Sequence, residues 1–244
     1  MGFDILVFIA SAVAGAIASI TGFAIGSLLT PVFAVKFATN LAVAAVSIPH
    51  FFGTAIRFWK LRHDVDRRVL WSFGITSAVG GLIGALLNAR VSSSALTIVF
   101  GVLLLFAGGS GLTGLAKRMR FRGPLAWVAV AASGLFGGLV GNQGGIRSAA
   151  LLGFNLSRDA FVATATAIAL FVDGARMPVY LVVEGRELMT MVTTIVVATA
   201  GVIAGTLSGT RLLRRIPQRT FELLVSALIT ALGICMIAKG WRAQ

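Results

Sequence analysis

The sequence is poor in the residues most catalytic and metal sites are built from: one cysteine, two histidines, one tyrosine and eight acidic residues among 244. A single cysteine, Cys235, excludes an intrachain disulfide and a cysteine metal cluster. With so few histidines and thiols there is no nucleophile–base set and no metal-ligand constellation, so an enzyme is a poor reading. No metal or cofactor is expected. There is no GxxxxGK[ST] spacing for a nucleotide-binding loop. The opening Met1-Gly2-Phe3-Asp4 lacks the basic n-region of a cleavable signal peptide. Leu6 stands where a myristoylation motif would want Ser or Thr. Charge is scarce too, at 12% of residues, about half the ~25% of a soluble domain.

What is present is apolar. Hydrophobic residues make up 57% of the chain, and the mean hydropathy is +0.95. Eight candidate spans fall near 5–35, 41–59, 69–89, 95–115, 125–154, 160–183, 188–209 and 221–238. They lack the polar faces, repeating every three or four residues, of a soluble bundle. An all-α polytopic membrane protein follows, with the lipid bilayer as its first partner. Cys235 lies in the last span and reads as a small buried hydrophobe. The net charge of +13 sits in short loops, around Lys60 to Arg68, Lys117 to Arg122 and Arg214 to Arg219. That is the topology signal of cytoplasmic loops and not a nucleic-acid surface. His63, Asp64 and Asp66 share the first of these loops with three arginines and read as a solvated turn.

The chain repeats itself. A shift of 119 residues sets Gly134, Gly141, Gly145 and Arg176 on Gly15, Gly22, Gly26 and Arg57. A shift of 121 sets Gly201, Gly205 and Arg211 on Gly80, Gly84 and Arg90. The expected organisation is a first membrane repeat over 1–116, a basic cytoplasmic linker over 117–123 and a second membrane repeat over 124–244. The glycines of 80–84 and 201–209 recur at intervals that let membrane helices approach closely, and they read as packing positions.

The stretch that carries chemistry runs from Gly141 to Ala150: Gly-Asn-Gln-Gly-Gly-Ile-Arg-Ser-Ala-Ala. It puts three glycines, two amides and Arg147 inside an otherwise apolar segment. A guanidinium deep in hydrocarbon costs at least ~2.5–3.5 kcal/mol, and irregular backbone at that depth survives where it lines a polar site. The alternative is a close-packing glycine face with Arg147 snorkelling to the surface. Segments one and five are also too long for one perpendicular crossing: about 31 residues at ~1.5 Å reach ~46 Å, against ~30 Å of hydrocarbon. Each is therefore either steeply tilted or broken into a re-entrant hairpin. Setting aside Arg57, Arg147 and Arg176 leaves 18 of the 21 basic residues. Plain crossings divide these 11 to 7 at best; hairpins divide them 13 to 5, with both termini outside. The positive-inside rule leans to hairpins, and paired hairpin tips are a recurring transporter plan.

Four more positions within the apolar spans join this site. Asp173 and Arg176 are three apart and can pair on one helix face. Arg57 has Thr54 where Asp173 would stand, so one arginine of the pair lacks an acid. His50 is either a packing residue or, with Asp173, a proton-coupling candidate. The candidate substrate-binding set is Gly22, Gly141, Asn142, Gln143, Gly144, Gly145, Arg147, Arg57 and Arg176.

Two halves, each opening on a glycine-broken segment and closing with Gly-x-x-x-Gly before arginine, resemble the sulfite exporter TauE/SafE permeases. Ile20-Thr21-Gly22-Phe23-Ala24-Ile25-Gly26-Ser27-Leu28-Leu29-Thr30-Pro31, Gly141 to Ala150 and Asn155 to Thr164 carry the resemblance, which covers nearly the whole chain. Ala24 and Ile25 stand where that signature more often has glycine. The resemblance implies an inner-membrane permease for sulfite, organosulfonates or related small anions, in the direction of export. The residues agree on an anion: a broken helix presents free N–H groups and a positive dipole end, and guanidinium matches an oxyanion's geometry. Transport of another anion and a non-transporting membrane scaffold are the competing readings. A homo-oligomer is compatible with all three.

Overall fold

The computed structural model describes residues 2–115, 119, 121, 123–142, 144–154, 156–213 and 216–243. Gln143 and most of the expected linker, 117, 118, 120 and 122, lie outside the described residues. Among the described residues all regular structure is helical: α1 Gly2–Thr21, α2 Ile25–Ala34, α3 Thr39–Leu61, α4 Arg67–Asn88, α5 Ser93–Leu112, α6 Pro124–Val140, α7 Gly144–Leu151, α8 Arg158–Val183, α9 Gly185–Thr190, α10 Val192–Leu213 and α11 Gln218–Arg242. Seven of them (α1, α3, α4, α5, α8, α10, α11) are long and apolar enough to cross a membrane. The fifth expected span divides into the shorter α6 and α7, and the first divides into α1 and α2.

Local sequence accounts for the ends. Asp66 caps α4 by accepting from the Val69 amide at 3.0 Å, and Ser92 and Ser157 do the same for α5 and α8. Such caps satisfy amides that no preceding turn can reach. Gly141, at φ 76, closes α6 in the left-handed conformation that glycine adopts without strain.

Both broken segments double back. The ring of Phe3, at the start of α1, packs 6.1 Å from that of Phe37, just beyond α2. The chain has therefore returned to the end where it began. That same end gathers Asn40 with Glu184 at 2.9 Å, Asp4 with Thr194 at 3.0 Å and Ser94 with the Ala243 carbonyl at 3.0 Å. In α6–α7 the Phe121 amide meets the Ala149 carbonyl, so this hairpin opens at the opposite end, beside the Asp66 amide and Thr164. The steep-tilt alternative for the two long segments falls with these contacts.

Glycine sets the packing. A Cβ on Gly205 or Gly209 would collide with Ala12 or Ala16 of α1, and one on Gly134 or Gly138 with Ser77 or Gly81 of α4. The ascending order of these contacts makes α1 parallel to α10 and α6 parallel to α4. On α5, Gly101 and Gly108 meet Gly233 and Ser226 of α11, in descending order, so that pair is antiparallel. Buried apolar side chains fill the space between, with Val7, Ile25, Phe33, Leu96, Phe100 and Val202 in the larger cluster. Cys235 is exposed on α11, against the expectation of burial. It occupies the outward side of that span, away from the packed interior.

Candidate anion site

The two breaks meet. A Cβ on Gly26 would collide with the Gly141 carbonyl, and one on Gly144 with the Phe23 side chain. Ser27 Oγ donates to Asn142 Oδ1 at 3.4 Å. The first break is held locally, with Thr21 Oγ1 accepting from the Phe23 amide at 3.3 Å and donating to the Ile17 carbonyl at 3.1 Å. Ala24 there takes φ 122, a conformation costly for any residue with a Cβ. Each break starts a new helix whose first amides have no partner in a preceding turn. In α2 the first i to i−4 bond is that of Leu28 to Ala24, at 3.0 Å.

Around these tips lie the charged side chains that the fold buries. Arg57 is 3% exposed, Arg147 2%, Arg176 1% and Asp173 fully buried. Asp173, on α8, is saturated. Its Oδ2 lies 2.7 Å from His50 Nδ1, and its Oδ1 accepts from Arg176 Nε at 3.0 Å and Nη2 at 2.8 Å. Arg176 turns its remaining Nη1 to the Gly137 carbonyl, and Tyr180 donates its hydroxyl to the Gly138 carbonyl. Two of the last carbonyls of α6 are thus clasped from α8, which fixes the helix just before it breaks.

Arg57 and Arg147 are differently placed. Arg57 Nη2 donates to Thr54 Oγ1 at 3.1 Å, while its Nε and Nη1 are buried with no hydrogen-bond partner. Arg147 likewise leaves Nε and Nη1 buried and unpaired, and Thr30 Oγ1 is a third orphan. Thr30 stands 3.5 Å from where a Gly141 Cβ would be. Arg147 is within electrostatic reach of Asp173, Arg57 and Arg176. Buried polar groups are paired almost without exception, and an unpaired buried charge costs several kcal/mol. Four guanidinium nitrogens left without partners at a meeting of helix ends can therefore receive an acceptor that the described residues do not supply. Neither arginine reaches the surface, so snorkelling explains neither.

The structure brings Arg57, Arg147, Arg176, His50 and Asp173 within electrostatic reach of one another, and it sets Gly141 beside Arg176, Asn142 against Ser27 and Gly144 against the first tip. No arginine atom lies within 4 Å of the Cβ position of Gly22 or of Gly145. The space beside Gly22 is bounded by Val162 and that beside Gly145 by Ala107. Gln143 lies outside the described residues. Sequence reasoning missed Ser27, Thr30 and Tyr180, and it missed the bond joining His50 to Asp173. Tyr180 carried a usable signal, since it follows Arg176 by four and shares its helix face. An apolar groove of about 550 Å³ lies elsewhere. Ile48, Phe52, Leu181, Met189 and Val196 line it with other apolar groups, and none of the charged residues does. Its chemistry suits hydrocarbon.

Residues 7–236 match the family described as sulfite exporter TauE/SafE, a span that includes both helix breaks and every charged residue of the site. The chain belongs to the sulfite exporter TauE/SafE family. No curated protein and no solved structure matches it. As a TauE/SafE protein with seven helices long and apolar enough to cross a membrane among its described residues, it is a multi-pass membrane transporter of an anionic substrate.

Proposed function

We propose that the chain is a secondary permease for sulfite or a small organosulfonate, bound between the two hairpin tips by Arg57 and Arg147. The observation that carries this is the pair of buried guanidiniums, each with two unpaired nitrogens, beside new helix ends. Asn142, Thr30 and the amides opening α2 and α7 supply neutral donors to the same anion. Arg176 serves the site from behind, because Asp173 and Gly137 already occupy it. The His50–Asp173 contact is where a proton would enter the cycle, since histidine changes charge near neutral pH. The chain performs no reaction on its substrate and works by export across a cell's inner membrane.

The packing supports two inverted halves, 1–116 and 124–244, joined by a cytoplasmic linker. Equivalent helices α5 and α11 run antiparallel, as a two-fold axis in the membrane plane requires. Radiolabelled sulfite flux in proteoliposomes tests the function. Arg147→Gln should abolish flux while expression and detergent stability stay near wild type, because removing an uncompensated buried charge strands no partner. Normal flux through that variant would sink the site.

A further inference from the structure

The buried charges do not balance, and the imbalance has a definite size. Among the described residues, the charged side chains classed as buried are Arg57, Arg147, Arg176 and Asp173, with His50 beside them. Asp173 places its charge on Arg176. With a neutral imidazole at His50, two positive charges remain, one on Arg57 and one on Arg147, each with two unpaired nitrogens. We infer that the site selects its anion by valence: it takes a doubly charged oxyanion, and Asp173 sets that number by withdrawing Arg176 from the count. This rests on the anion-site reading above and goes beyond it, because an arginine-lined site could equally have been built for a single charge.

Two effects oppose each other in that choice. A dianion is harder to dehydrate than a monoanion, which favours the single charge. A monoanion, however, would leave one guanidinium buried without a counter-charge, at a cost of several kcal/mol. In a sealed, weakly screened interior the second effect dominates, since charge pairs there interact far more strongly than in water. Two separate guanidiniums also offer two directions of approach, which suits an anion whose charges lie on opposite ends as well as one carrying both on a single centre. A zwitterion is the worst case, because its cationic end enters a site already in positive excess.

Sulfoacetate, isethionate and taurine test this directly: each has a sulfonate on a two-carbon frame, with net charges of minus two, minus one and zero at neutral pH. Binding to the purified full-length protein is measured by calorimetry. Sulfoacetate should bind at least about tenfold more tightly than isethionate, with taurine weakest. Arg57→Gln, which leaves one excess charge, should reverse the order of the first two. Arg57→Lys keeps the charge and should keep the wild-type order, which a purely structural role for Arg57 would not require. Equal binding of sulfoacetate and isethionate, lost together in Arg147→Gln, would overturn valence selection and leave the anion site standing. An unchanged order in Arg57→Gln would also overturn it. Binding of any probe that is indifferent to Arg147→Gln would overturn the anion site itself, and valence selection with it.

Discussion

Arg176 and Arg147 are both arginines buried beside a broken helix, yet their surroundings give them opposite consequences on removal. Arg176 makes three contacts to protein acceptors, two to Asp173 Oδ1 and one to the Gly137 carbonyl. Arg176→Gln strands a buried carboxylate and frees the end of α6. Breaking one partner of a buried pair costs about 3–5 kcal/mol, and the loss should fall at the lower end because His50 stays on Oδ2. Adding Asp173→Asn should recover part of it. Thermal unfolding in detergent reads both; an Arg176→Gln protein as stable as wild type would show that the clasp contributes nothing. The pairing of Asp173 with Arg176 was legible because it is local, three residues on one helix. The pairing of Asp173 with His50 was not, because 123 residues separate them and a lone histidine in an apolar run carries no signal of its partner. The orphaned nitrogens of Arg57 were equally out of reach. Sequence shows that an arginine has no acid on its own helix face, but only packing shows that no other helix brings one.

At the scale of elements, the breaks were visible and their depth was not. Glycine clusters at 22–26 and 141–145 told where the chain interrupts its helices, and the long spans told that something must turn. Whether the tips touch depends on helix tilt and on which glycine faces which, and here Gly26, not Gly22, lies against Gly141. Ala24 makes the first break costly. Its φ of 122 lies where a side chain strains the backbone, by about 1–3 kcal/mol, and glycine is what the family's signature more often has near that position. Ala24→Gly should therefore raise stability by about 1 kcal/mol, after the entropy glycine restores to the unfolded chain is deducted. A higher midpoint of thermal unfolding is the expected result. A lower one would mean that the Cβ of Ala24, buried among its neighbours, contributes more packing than the backbone loses in strain.

For the whole molecule the decisive quantity is which residues share an end. The contacts of Phe3 with Phe37 and of Ser94 with Ala243 set the base of the first hairpin and the end of α11 together. Lys36, Arg90, Arg186, Lys239 and Arg242 belong to that end by chain position, and Lys60, Arg62, Arg67, Arg68 and Arg219 to the other. With the loops outside the described residues placed as the sequence leads one to expect, the division is 13 to 5, and the positive-inside rule predicts that the richer end is cytoplasmic. Both termini should then lie outside. In a Cys235→Ala background, single cysteines at Val35, Arg242 and His63 separate the two claims, because the first two belong to one end and the third to the other. A membrane-impermeant thiol reagent on intact cells should label Val35→Cys and Arg242→Cys and reach His63→Cys only after permeabilisation. Labelling of His63→Cys alone would reverse the orientation and keep the fold, since charge sets the side and packing sets the hairpin. Labelling of Val35→Cys without Arg242→Cys, in protein that transports, would put the base of the first hairpin and the end of α11 on opposite faces. The re-entrant α1–α2 hairpin could not survive that result, and with it would go the meeting of tips on which the proposed binding by Arg57 and Arg147 rests.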